Sequence, residues 1–286
     1  MRKNFLIDCE LDYDVATQTV FIFHIAIPDD ANQRVLQEST RVFPDAPTDE
    51  FRDPSGANRF IRIDAQPGPL TIRYLAAVEL ETPAVEPGAQ QVPVANLPAE
   101  ALPFLRASRY CEADQLFSLA CSLFGNLPQD YMRVEAICEW IRANIEYRAG
   151  SSTRTTTAQD VLASKAGVCR DFAHLAIAFC RALNIPARLM TGYARYREPP
   201  PDFHAVFEAY LGERWYLFDP TRLSKLDEIV RIGTGIDASE AAFATFFGDA
   251  RLRRLSPLIE PQAGGRTSPP RLVSLQRPDS GILLAA

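Results

Sequence analysis

The chain has 286 residues, 47% of them hydrophobic, and a formal net charge of −6. That length suits two ordinary domains, and the apolar content supplies full cores, so disorder is not the default. An acidic chain without a basic block is not a dedicated nucleic-acid binder, and no apolar run approaches the ~20 residues that span a bilayer. The N-terminus starts basic, but Asp8, Glu10 and Asp12 interrupt any apolar signal core. This excludes a secretory signal and makes a cytoplasmic location the expectation. Six cysteines at irregular spacing, with no Cys-x-x-Cys pair, suit free thiols in a reducing compartment. With three histidines and no zinc-type Cys–His spacing, no metal site is expected. No cofactor motif is expected either.

Residues Phe5 to about Leu80 read as all-β. Thr19–Ile27 is a β-branched and aromatic run closed by Pro28, Arg59–Asp64 alternates, and Leu70–Leu80 is a second long strand. Short strands with turn punctuation predict a sandwich over residues 1–82. His24 lies within this unit and reads as structural. Pro83, Pro87, Pro93, Pro98 and Pro103 then exclude a long helix, so 83–103 reads as an extended linker. Helical periodicity follows at Asp114–Phe124 and Asp130–Asn144. Thr157 with Asp160 makes a capping box that opens Ala158–Ser164. After Pro186 the period changes to two, with strands at Ala187–Tyr196, His204–Leu211 and Arg214–Thr221. This second domain is placed at 104–256. Residues 257–286, rich in Pro and with Gly264 and Gly265, read as an irregular tail.

Between these two groups lies Cys169, followed by the mostly apolar run Phe172, Leu175, Ile177, Ala178 and Phe179, which Asn184 and Pro186 end. A helix with so little polar face is buried. Cys169 therefore stands in its first turn, where unpaired N–H groups and the dipole favour negative charge. The thiolate is the nucleophilic form of cysteine. The helix alone leaves an inert buried thiol equally open. His204 begins one strand and Asp219 ends the next, just before Pro220. Thiol catalysis needs these three types: a thiolate, an imidazole to pair with it and move protons, and an acceptor to orient the imidazole. If Gly212-Glu213 forms a two-residue turn, Leu211 faces Arg214 and Val206 faces Asp219. His204 and Asp219 then become diagonal neighbours, with Cα atoms roughly 7–8 Å apart. A three-residue turn would put them on opposite faces. His174 falls on a different helix face from Cys169, Arg170 and Asp171 read as bonding around the helix start, and Cys180 reads as core. Tyr193, Arg195 and Arg197 share one strand face, which is either solvated or part of a cleft wall.

Gly167-Val-Cys-Arg-Asp-Phe-Ala-His174, Ala182-Leu-Asn-Ile-Pro-Ala-Arg188, Asp202-Phe-His-Ala205 and Trp215-Tyr-Leu-Phe-Asp219 resemble, in order, the core of the bacterial transglutaminase-like superfamily, whose fold is related to papain-like thiol proteases. Ser108–Asp114 and Tyr147–Ser152 resemble the same bacterial subgroup, and the likeness covers roughly Pro103 to Thr221. The resemblance implies an α+β fold in which a Cys-bearing buried helix packs on an antiparallel sheet behind an all-β domain. It also implies a catalytic triad of Cys169, His204 and Asp219. One departure is visible: where the family often carries Trp two residues after the His, this chain has Val206. The expected activity is attack on a carboxamide or peptide bond through a thioester, with hydrolysis ahead of transamidation. The expected partner is a peptide or protein amide, not nucleic acid or membrane. Two other classes stay open. One is a non-catalytic scaffold whose β domain binds a partner. The other is a thiol acetyltransferase fed by acyl-CoA, which no Gly-rich phosphate loop supports. No loop with EF-hand spacing offers a calcium site.

Overall fold

A computed structural model describes residues 2–195, 202–262, Leu272 and Leu275. Tyr196, Arg197 and most of the expected tail therefore lie outside the described residues. The first module is a sandwich of two antiparallel four-stranded sheets, ordered β14-β1-β6-β3 and β13-β2-β5-β4, where β13 is Ala244–Phe247 and β14 is Ala250–Gln262. Its strands are β1 (Arg2–Val15), β2 (Thr19–Phe23), β3 (Gln33–Phe43), β4 (Thr48–Arg52), β5 (Arg59–Ala65) and β6 (Gly68–Glu81). The alternation in sequence becomes a core directly. Phe5, Ile7, Cys9, Leu11 and Tyr13 of β1 face inward, as do Ile72, Tyr74 and Val78 of β6, against Phe21, Phe23, Ile61 and Ile63 of the other sheet. Tyr13 meets Phe21 edge-on across that gap, with ring centroids 4.9 Å apart.

The second module runs through α1 (Ala113–Phe124), α2 (Tyr131–Asn144), β7 (Glu146–Tyr147), α3 (Ala158–Ser164), β8 (Ala166–Gly167) and α4 (Cys169–Ala182). An antiparallel sheet follows, made of β9 (Ala187–Ala194), β10 (Phe203–Leu211), β11 (Arg214–Phe218) and β12 (Ile229–Gly235), in the order β11-β10-β9-β12. Helix α4 lies in one core with Leu189 of β9, Ala205, Phe207 and Ala209 of β10 and Phe218 of β11. This is the expected α+β arrangement: a buried Cys-bearing helix on an antiparallel sheet, preceded by a β domain.

The domain limits differ from the sequence expectation. Residues β13 (Ala244–Phe247) and β14 (Ala250–Gln262) return to the sandwich, where β13 pairs with β2 and β14 with β1. The second module is thus enclosed between the first and last strands of the sandwich, and 257–262 is strand rather than irregular tail. Pro257 and Pro261 are tolerated because β14 is an edge strand, where a missing N–H need not interrupt a ladder. The linker is also less free than its prolines suggest. Gln91 bridges to Leu211, and Leu97 and Ala101 pack with Tyr210 and Trp215 against the sheet.

The two modules share side chains. Tyr193, Phe203, Val230 and Ile232 of the second sheet belong to the sandwich core, so Tyr193 is neither solvated nor a cleft wall. The Tyr193 hydroxyl donates to the Ile25 carbonyl at 2.7 Å. Asn58 spans the junction with a pair of bonds to the Thr234 backbone, each 2.9 Å.

Candidate active site

The start of α4 is fixed from below. Val168 stands at the N-cap position and has no side-chain acceptor, so Asp171 supplies only the reciprocal half of a capping box, taking the Val168 N–H at 2.8 Å. Asp171 is fully buried and also receives the Ser152 hydroxyl and the Arg170 guanidinium. Arg170 in turn donates to the Thr153 carbonyl at 2.8 Å. These contacts make Arg170 and Asp171 braces of the helix start, and they leave Cys169 half-buried in its first turn.

The β10–β11 turn decides where the other two residues point. Gly212 and Glu213 have φ of 50° and 70°, the left-handed pair of a type I′ hairpin, and glycine occupies the first of them at no steric cost. Leu211 consequently faces Arg214, and Phe207 faces Phe218. One step further along, Val206 comes opposite Asp219, and His204 lies diagonal to it. The His204 Nε2 and Asp219 Oδ2 atoms are 2.8 Å apart, with both side chains buried. The other Asp219 oxygen, Oδ1, takes the Thr221 hydroxyl at 2.6 Å and the Thr221 N–H at 2.9 Å.

Electrostatics follow from this geometry. Burial, the largest influence on His204, works to lower its pKa. The charge and hydrogen bond of Asp219, together with a hydrogen bond and charge from Cys169, overturn that and raise it to about 10. Burial likewise pushes Asp219 up, but His204 and then Thr221 hold it below the ordinary carboxylate value. The three residues singled out in the sequence are therefore adjacent, in the order thiol, imidazole, carboxylate.

Two further groups border them. Tyr147, on β7, is tied in by the parallel pairing of Tyr147 with Gly167. Its phenol is pushed up by burial first, then by the charges of Cys169 and Asp202, while the Cys169 N–H acts in the opposite sense. The Tyr147 hydroxyl thus lies against the backbone N–H of Cys169. Asp202, just ahead of β10, accepts the Phe203 N–H at 2.7 Å, and burial lifts its pKa to about 6. Tyr147 falls inside one of the resembling blocks, but a two-residue strand leaves no periodicity from which to assign it a place.

The remaining candidates are elsewhere. His174 stacks on Tyr110 with centroids 5.1 Å apart and accepts the Ala238 N–H on Nε2 at 3.2 Å. Burial keeps it neutral, with a pKa of about 3. His24 is held at about 4, mainly by burial. Burial also raises the thiols of Cys111, Cys138 and Cys180, which suits inert core residues.

The family model for the transglutaminase-like superfamily matches residues 118–220, and that for the bacterial transglutaminase N-terminal domain matches 3–100. The crystal structure of "a Putative Cysteine Protease from Cytophaga hutchinsonii" superposes with a TM-score of 0.89 and 41% sequence identity, covering 93% of each chain. An uncharacterized protein of Mycobacterium leprae is 31% identical over 120 residues, which is 38% of this chain and 42% of that protein. An uncharacterized protein of Mycobacterium tuberculosis is 32% identical over 115 residues, 35% of this chain and 36% of its own length. The aligned stretch thus spans less than half of these curated relatives. Taken with the helix, sheet and sandwich described above, these matches show that the chain belongs to the transglutaminase-like superfamily and carries a bacterial transglutaminase N-terminal domain ahead of the core.

Proposed function

We propose that the protein is a cysteine-nucleophile hydrolase of carboxamide or peptide bonds, acting through a thioester with Cys169, His204 and Asp219 as its triad. The observation that carries this reading is the 2.8 Å His204–Asp219 bond, with the charge of Cys169 acting on the same imidazole. The Cys169 thiolate attacks the carbonyl carbon. The oxyanion that forms is met by the Cys169 N–H and by the hydroxyl of Tyr147, which supplies the second donor. The C–N bond breaks as His204 Nδ1 passes its proton to the departing amine. A water then replaces the amine, gives a proton back to His204 and attacks the thioester, and the acid leaves. Asp219 stays ionised throughout and orients the ring. The likeness to the Cytophaga hutchinsonii "Putative Cysteine Protease" supports the protease-type reading. Transamidation shares every step up to the thioester and differs only in the acceptor.

The test is a glutamine and small peptide amide library, incubated with and without excess primary amine. Release of free acid, lost in Cys169→Ala, supports hydrolysis. Amine incorporation without any acid product moves the assignment to transamidation, and neither product from any member of the library contradicts both.

A further inference from the structure

The two oxygens of Asp219 are used differently. Oδ2 meets His204, and Oδ1 is held entirely from within the next turn, by the Thr221 hydroxyl at 2.6 Å and the Thr221 N–H at 2.9 Å. The hydroxyl has its own constraint, because it accepts the Leu223 N–H at 3.2 Å. With a donor on one side and an ionised carboxylate on the other, its single proton is directed at Asp219. The turn that carries it is itself pinned. The Arg222 N–H returns to the Asp219 carbonyl at 3.3 Å, Arg222 adopts a left-handed φ of 54°, and its guanidinium reaches Glu139 and Glu135 on α2. A carboxylate held by the N–H alone could pivot about that bond, whereas a second donor on the same oxygen fixes its plane.

We propose that Thr221 is a positioning residue for the triad: its hydroxyl locks the Asp219 carboxylate so that Oδ2 is presented to the His204 imidazole. The proposal rests on the triad reading above. Loss of the hydroxyl leaves the backbone bond in place, so the carboxylate stays in the site but holds the imidazolium less well. Weaker support for the imidazolium makes the thiolate of its partner harder to form, and the reactive state then appears at higher pH. Other titratable groups surround the pair: Cys169 at the start of α4, Asp202 ahead of β10, Tyr147 on β7 and Cys138 on α2. Among the described residues, the hydrogen bonds to Oδ1 come from Thr221 alone.

The experiment follows iodoacetamide alkylation of Cys169 against pH in the full chain, by mass spectrometry of that residue, with thermal unfolding measured in parallel. The variants are Thr221→Val, Thr221→Ala, Thr221→Ser, Asp219→Ala and His204→Ala. The expected result is that Asp219→Ala and His204→Ala move the acid limb upward, and that Thr221→Val and Thr221→Ala move it in the same direction. At the mildly acidic end both Thr221 variants should alkylate roughly tenfold more slowly, the worth of one hydrogen bond to a charged group. Thr221→Ser keeps the hydroxyl and should overlay the parent profile. A merely structural threonine would lower the melting temperature without displacing the limb. If Asp219→Ala is displaced while both Thr221→Val and Thr221→Ala keep the parent profile, the positioning role is overturned and the triad stands. If neither His204→Ala nor Asp219→Ala moves the limb, the triad reading fails and this proposal fails with it.

Discussion

Replacing Tyr147 with Phe separates transition-state stabilisation from thiol activation. The substitution deletes the hydroxyl and keeps the ring, whose centroid lies 5.9 Å from that of Phe172. Removing one oxyanion donor from a closed site costs about 10²–10³ in kcat, or about 2.7–4 kcal/mol. Tyr147 is 44% exposed, so its hydroxyl acts beside water and at a higher effective dielectric than a sealed pocket. The loss should therefore fall at the lower end, about 100-fold in kcat with KM little changed. Alkylation of Cys169 by iodoacetamide displaces iodide and builds no oxyanion, so its rate should stay at the parent value. Steady-state kinetics on an amide substrate and alkylation kinetics on the same preparation give the two numbers. Turnover at the parent rate in Tyr147→Phe would refute the donor role. Parallel loss of alkylation and turnover would refute it too, by showing that Tyr147 serves the thiol rather than the oxyanion.

Cys169 should alkylate ahead of the other five thiols at mildly acidic pH, because it combines a helix start with a histidine partner; equal labelling of Cys121, which is also half-buried, would count against an activated nucleophile. Stability should fall on acidification below neutral. His24 and His174 are held neutral in the fold, at about 4 and about 3, whereas an unfolded chain protonates them near 6.5. At these two residues the unfolded state binds more protons, a loss of roughly 4 kcal/mol by pH 5, of which the raised pKa values of His204 and Asp202, about 10 and about 6, return roughly 2 kcal/mol, so a net fall of roughly 2 kcal/mol is expected. Urea unfolding between pH 7 and 5 measures it, and a flat profile would contradict the burial argument. Ending the chain after Gln262 keeps both sheets of the sandwich and should leave Cys169 reactive. Ending it after Gly248 removes β14 and exposes the edge of β1. That protein should melt earlier and aggregate, and equal melting temperatures would show that β14 contributes little.

Where side chains alternate or recur without interruption, the fold was legible in the sequence. The Arg59–Asp64 and Leu70–Leu80 patterns, the apolar run after Cys169 and the Gly212-Glu213 dipeptide each carry a local physical rule, and each predicted the element that forms. The hairpin was the most informative, since a two-residue turn alone determines that His204 and Asp219 meet. What escaped reading lies where the period breaks. The pairing of β14 shifts between Asp12 and Tyr13 of its partner, so Leu252 and Leu255 fall three apart, and two prolines make the strand look like a tail. Strand β12 has its own shift between Arg231 and Gly233. The roles proposed for Tyr147 and Thr221 depend on pairing and turn geometry, which a residue type in isolation does not express.

The enclosure of the second module between β6 and β13 bears on how the molecule is made. A nascent chain emerges with β1 to β6 first, but the edge partner of β1 follows only after all of α1 to β12 has been synthesised. Until then β1 presents an open row of N–H and C=O groups, a template for wrong pairing. Tyr193, Phe203, Val230 and Ile232 have meanwhile left the ribosome and can dock on the half-built sandwich, since they belong to its core. Completion of the second sheet and closure of the sandwich are therefore late and concurrent events, joined by contacts of very long sequence separation, which are slow to form. A fragment carrying only the helices and the second sheet would display those four apolar side chains to water, and it would be expected to need the surrounding strands for solubility even though they contribute no residue to the proposed triad.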